Sequence, residues 1–154
     1  VTSSSEAAAL WEFYSDSDHS GNAEPQNRRR SQCGVVALQS GAPVLWGSKV
    51  SSVAFASADI GEAHADISSG ASEVFAAANA TFDIMNLGYI AEEMGLDFPK
   101  PFILQVDNAA CEIFMRNTAA KTKLKHIDCR QEWVRTLRDK DICLCVNYWL
   151  NCVK

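Results

Sequence analysis

The stretch that most constrains this fold is Pro101–Asp107, PFILQVD. Phe102, Ile103, Leu104 and Val106 form a short apolar run, with Pro101 before it and Asp107-Asn108 after it. A run of that length with turn-forming residues at both ends predicts a buried strand. The next residues, NAACEIFMRN, carry a helical pattern. A strand, a turn and a helix therefore meet at one carboxylate. Sites in α/β sheets gather at the carboxyl ends of strands, although an Asp there also serves as an ordinary helix cap. Which role Asp107 plays depends on whether other acids converge on it.

The remaining chain supplies partners for that strand. Residues 1–9 are rich in Ser and Ala and read as a lead-in. Leu10–Asp16, LWEFYSD, predicts a strand that ends in a second carboxylate. The segment SDHSGNAEPQNRRR is a loop by its turn chemistry. Cys33–Gln39 and Val44–Ser48 predict a hairpin across SGAP, and KVSSVAFAS a further short strand. A long helix follows, with Ser68 or Ser69 as its N-cap, Ser72 and Glu73 in its first turns and Gly95 as its stop. Val74, Ala77, Ala78, Thr81, Ile84, Met85 and Gly88 fall on one face of a 3.6-residue period. After PFILQVD and the short helix from Asn108 to Arg116 comes the basic connector NTAAKTKLKH. Ile127–Arg138 is again helical, and Asp141–Leu150 alternates as a last strand. Hairpins imply antiparallel pairing at the start, and strands separated by helices imply parallel crossovers later. The expected fold class is α/β: a mixed five-stranded sheet flanked by helices, in a single domain spanning residues 1–154.

The formal net charge is -5, so the overall balance is not that of a typical nucleic-acid binder. The basic residues are nevertheless clustered. Arg28, Arg29 and Arg30 are adjacent, and a second group holds Lys121, Lys123, Lys125, Arg130, Arg135, Arg138 and Lys140. No secretory signal precedes the six cysteines, which favours reduced thiols in a cytosolic or nuclear setting and not a secreted protein. His126, Cys129, Cys143 and Cys145 lack the paired spacing of a zinc site. No apolar stretch is long enough to span a membrane. The first residue is Val, which suggests a piece of something longer.

Three acids occupy special places in this layout. Asp16 ends the first expected strand, Glu73 lies one turn into the long helix beside its buried face, and Asp107 ends the fourth strand. If the first and fourth strands are neighbours beneath the helix, the three carboxylates converge. Crowded carboxylates repel one another, and a cation relieves the repulsion. Oxygen donors without a Cys or His cage favour Mg2+ or Mn2+. A pair of such ions suits phosphodiester hydrolysis. Each acid also has a bland reading as a cap or a partner of a helix dipole.

Five segments carry a resemblance: YSDSDHSGN, GVVALQSGAPVLWGSK, SEVFAAANA, LQVDNAA and KLKHIDCRQEWVRTLRDKDICL. In this order they resemble the ribonuclease H domain of copia-type (Pseudoviridae) retrotransposon polyproteins. The resemblance covers roughly residues 10–146, and KHIDCR after VDNAA is its most specific piece. It implies a ribonuclease H-like fold with Asp16, Glu73 and Asp107 as the catalytic, metal-binding acids. Asp18 is the runner-up to Asp16, and Glu62 the fallback for Glu73. The resemblance further implies two Mg2+ or Mn2+ ions and hydrolysis of RNA in RNA–DNA hybrids. Arg28–Arg30, Lys121, Lys123 and Lys125 would face phosphates. The reverse transcriptase portion of the same polyprotein would be a partner, in a cytoplasmic, nuclear or virus-like-particle setting. The family pattern continues with a further ligand Asp on a terminal helix, but no acid follows Asp141 here. The end of the family domain is therefore expected to be missing. The alternative is an inactive relic kept as a binding or structural subunit of a larger assembly.

Overall fold

The computed structural model describes residues 11–18, 30–54, 65–116 and 125–147, with the side chains of 30, 52–54, 65–71, 110, 114–116 and 125–131 excepted. The strands are β1 (Trp11–Asp18), β2 (Arg30–Gln39), β3 (Ala42–Ala54), β4 (Phe102–Val106) and β5 (Cys143–Asn147). The helices are α1 (Ala65–Glu93), α2 (Ala109–Arg116) and α3 (Lys125–Asp139). The strands form one sheet in the order β3-β2-β1-β4-β5. The β1–β2 and β2–β3 pairs are antiparallel, while β1–β4 and β4–β5 are parallel. This is the mixed five-stranded sheet that the sequence predicts.

Local chemistry accounts for the elements. Ser40 and Gly41 both take positive φ, which lets a two-residue turn join β2 to β3 with the strands' own twist. The hairpin extends further than expected. The segment read as two strands is one strand, Ala42–Ala54, with irregular register at both ends of its pairing with β2. Helix α1 ends as the sequence predicts. Leu96 N–H bonds to Ala91 O and Gly95 N–H to Glu92 O, with Gly95 at positive φ. That double bond satisfies the last carbonyls, and glycine takes the left-handed position without strain. The start of α1 differs. It begins at Ala65, so Ser68 and Ser69 lie inside it and neither is at its N-cap position. The polar run ahead of the apolar face continues the helix instead of marking its boundary.

The core lies between α1 and the sheet. Val74, Ala77, Ala78, Ala80 and Ile84 share it with Phe13, Val35, Ala37, Leu104 and Val106. The expected apolar face of α1 is buried, with Met85 at its margin. Among the small residues on α1, Gly88 has a specific reason to be small. A Cβ there would lie 2.9 Å from the ring of Phe98. That ring is held by Trp11, Phe13 and Phe102 in one aromatic cluster. Gly88→Val is therefore expected to lower stability by about 2 kcal/mol, because overpacking outweighs any gain in helix propensity. Urea unfolding of the two proteins checks this, and an unchanged midpoint would refute it.

Candidate metal centre

Strand β1 and strand β4 are paired in parallel, with Ser15 opposite Val106. One residue further on in each strand direction come Asp16 and Asp107. The register thus places two acids side by side at the same end of the sheet. Asp16 is not the last residue of its strand, as expected from sequence; β1 continues to Asp18, and Asp16 pairs with Gly34 of β2. Glu73 comes down from α1. Because the helix begins at Ala65, Glu73 sits more than two turns inside it, not one. The helix dipole acts over the first turn, so it does not account for this acid.

The three carboxylates each present an oxygen, and these oxygens lie within 4.8 Å of one another. Asp16 and Asp107 are exposed, whereas Glu73 is only 5% exposed. The Glu73 carboxylate accepts a hydrogen bond from the backbone N–H of Ser17. Its Oε2 is buried without a hydrogen-bond partner. Burial pushes the Glu73 carboxyl up to about 8 from its ordinary 4.5, and the charges of Asp107 and then Asp16 add to the rise. Burial, with the charge of Asp16, also raises Asp107. The arrangement disfavours negative charge that it nevertheless concentrates, and a divalent cation removes the conflict.

The donor set fits a hard cation. All its members are carboxylates, and one of them, Glu73, has a buried oxygen without a hydrogen-bond partner. Cys111 lies fully buried nearby, where burial and the charges of Glu73, Asp107 and Glu112 push its thiol up. It stays protonated and packs as an apolar group, so it offers no soft thiolate ligand. Cys33, Cys111, Cys143 and Cys145 are free thiols. Among the described residues, no helix is long and apolar enough to cross a membrane.

Asp107 is not the cap of α2. Asn108 takes that place: its Oδ1 accepts a hydrogen bond from the N–H of Cys111 at 3.3 Å. The bland reading of Asp107 therefore belongs to its neighbour. Of the alternatives, Asp18 is exposed at the strand end and is not one of the three converging acids. Glu62, Arg28, Arg29, Lys121 and Lys123 lie outside the described residues. Arg30 starts β2 and Lys125 starts α3, with side chains likewise outside them.

Two polar residues beside the site are absent from the sequence-based set. Glu112, in the first turn of α2, accepts a hydrogen bond at Oε2 from the backbone N–H of Asn147 at 3.2 Å. The Asn147 side chain donates to the carbonyl of Asp107 at 3.3 Å. A charged residue amid AACEIFM and an asparagine amid CLCVNYWL were the available signals. An apolar cavity of about 140 Å³ beside Gly88, Phe98 and Phe102 lies toward the other end of β4 from the acids. A shallow groove of about 420 Å³ instead includes Asp16 and runs past Gly34 and Gly47 to Trp46, which is 71% exposed.

No protein-family model matches the chain, and no curated protein matches it. Solved structures share its architecture. LC11-RNase H1, isolated from compost by a metagenomic approach, aligns with a TM-score of 0.58 at 14% identity, covering 93% of this chain and 88% of that one. The same enzyme in complex with an RNA/DNA hybrid gives 0.50 at 14% identity, covering 89% and 83%. RNase H1 from the halophilic archaeon Halobacterium salinarum NRC-1 gives 0.49 at 17% identity, covering 90% and 86%. At these identities the likeness is one of fold, and the fold is that of ribonuclease H.

Proposed function

We propose that this chain is a metal-dependent ribonuclease that hydrolyses RNA in RNA–DNA hybrids. The convergence of Asp16, Glu73 and Asp107 from three separate elements carries the proposal. In this reading the three acids are both the metal ligands and the catalytic residues. Two Mg2+ or Mn2+ ions, when bound, would supply positive charge at the scissile phosphate and a water nucleophile at neutral pH. Asp16 and Asp107 hold their carboxylates at the rim of the sheet, open to a polymer. Glu73 closes the site from the side of α1, and the N–H of Ser17 orients it. The fold shared with LC11-RNase H1, a protein solved with an RNA/DNA hybrid, supports this choice of substrate.

Recognition of a hybrid rests on its shape and the 2′-hydroxyls of one strand. The groove from Asp16 to Trp46 offers an extended surface for such a polymer. Arg28, Arg29, Arg30, Lys121, Lys123 and Lys125 are proposed to contact phosphates, which positions the hybrid without reading its sequence. The resemblance in YSDSDHSGN, VDNAA and KHIDCR favours a copia-type retrotransposon context, with the reverse transcriptase portion of the polyprotein as neighbour.

The protein is expected to cut the RNA strand of a labelled hybrid with Mg2+ or Mn2+, to leave the same RNA intact when it is single-stranded, and to stop when EDTA is added. A protein that binds Mn2+ yet never cleaves the hybrid is the inactive relic, and that result would overturn the catalytic reading.

A further inference from the structure

Glu112 carries a charge that the three-acid site does not use. It is only 8% exposed, and its carboxylate is not among the converging oxygens. Burying a carboxylate is costly unless it is hydrogen-bonded. Glu112 has such a bond, from the backbone N–H of Asn147 at 3.2 Å, and it sits in the first turn of α2, where the helix dipole favours negative charge. Asn147 is 4% exposed and is the last residue of β5, paired with Val106 of β4. Its Nδ2 donates to the carbonyl of Asp107 at 3.3 Å. A chain of contacts therefore runs from α2 to the end of β5 and on to the backbone of a site acid.

The location gives this chain a purpose. The backbone leaves β4 at Val106 and enters α2 at Ala109, so only Asp107 and Asn108 make the turn. Asn108 is tied to α2 through its cap on Cys111, and the carbonyl of Asp107 is tied to Asn147. With both neighbouring elements fixed, the direction in which the Asp107 carboxylate leaves the backbone is fixed too. Groups that orient a ligand from behind in this way tune metal affinity although they never touch the ion.

We infer that Asn147, held in place by Glu112, is a positioning residue for Asp107 and sets the affinity of the site for divalent cations. The inference rests on the three acids being metal ligands. It is tested by titrating the folded, metal-free protein with Mn2+ and following the free-ion signal by electron paramagnetic resonance.

Asn147→Leu keeps the backbone N–H for Glu112 but loses the side-chain donor. It is expected to raise the Mn2+ Kd roughly tenfold or more. Glu112→Ala is expected to do the same, while Glu112→Gln, which keeps an acceptor oxygen, stays within about threefold of wild type. In cleavage assays the Mn2+ concentration for half-maximal rate rises in Asn147→Leu while the rate at saturating Mn2+ is retained. A merely structural role would not give that split or the rescue by Gln. Wild-type affinity in Asn147→Leu would overturn the inference. Should that variant not fold, the wild type decides: the Asn147 side-chain amide resonances must shift on Mg2+ addition, and unmoved resonances overturn it. Absence of Mn2+ binding by the wild type itself would sink the metal-site reading and this inference with it.

Discussion

Asp107→Asn is expected to lower the rate of Mg2+-dependent hybrid cleavage by roughly 10³-fold, the scale on which loss of a group that stabilises transition-state charge is felt. The substitution preserves shape and removes only the charge. Asp107 is exposed at the strand end, and the cap of α2 belongs to Asn108, so folding should be nearly unaffected. Asp18→Asn serves as the comparison. Asp18 lies two residues beyond Asp16 on the same strand, outside the converging group, and its variant should cleave within about threefold of wild type, as surface substitutions generally do little. The measurement is the initial rate on a labelled hybrid at saturating Mg2+. Equal losses in the two variants would show that the choice of acids is wrong.

The second large effect is one of stability. Glu73 is ordinarily half-ionised near 4.5, but in the folded protein without metal its carboxyl is pushed up to about 8. The folded state thus holds the proton more tightly than the unfolded chain does. Well below pH 4.5 both states are protonated, and the raised carboxyl costs no stability through ionisation. Between 4.5 and 8 the unfolded chain ionises while the folded one stays neutral, so stability declines as pH rises. Above the folded value the loss is complete. Its size is about 3–4 kcal/mol, since each unit of difference is worth about 1.4 kcal/mol and real burial is partly relaxed.

Glu73→Gln removes this liability. In EDTA at pH 8.5, a condition chosen to lie above the folded value of about 8, the variant is expected to be more stable than wild type by roughly that amount. At pH 4, below the ordinary 4.5, the two should be alike. Urea unfolding at both pH values is the check, and a variant no more stable at high pH would refute the account. The same substitution is expected to remove Mg2+-dependent cleavage, so that stability and activity move in opposite directions. A residue that weakens the fold it belongs to is common at functional sites.

Much of this architecture was legible from periodicity. The apolar face of α1 from Val74 to Gly88 follows from its 3.6-residue spacing, and the strand at PFILQVD from its length and its boundaries. The antiparallel start and parallel finish follow from whether the connections are turns or helices. The start of α1 was not legible, because Ser68 and Ser69 are good caps in isolation and the sequence does not show that the preceding turn is also helical. The single long β3 was hidden for a similar reason. A strand with register irregularities breaks strict alternation without breaking the strand.

The site was legible only in part. Acids at strand ends stand out in any α/β chain, and the motif resemblance singled out Asp16, Glu73 and Asp107. That Asn108 and not Asp107 caps α2 depends on one side-chain rotation, which no spacing reveals. Glu112 and Asn147 are 35 residues apart, and their contact depends on which side of α2 faces the end of β5. Composition and periodicity carry no information about that.

The alanines of α1 have a consequence for the proposed metal site. Ala77 and Ala78 are buried against a core that includes Phe13, Val35 and Ala37, so the helix rides close over the sheet. Glu73 reaches down across that gap to the two strand-borne acids. If the three acids hold a cation as proposed, the thickness of the gap limits how far apart their oxygens can sit. A larger residue at either alanine is expected to lift the helix and widen the triangle of oxygens, away from the short contacts that a small ion such as Mg2+ demands. Methyl groups that never meet an ion would thus bear on how well one fits the proposed site.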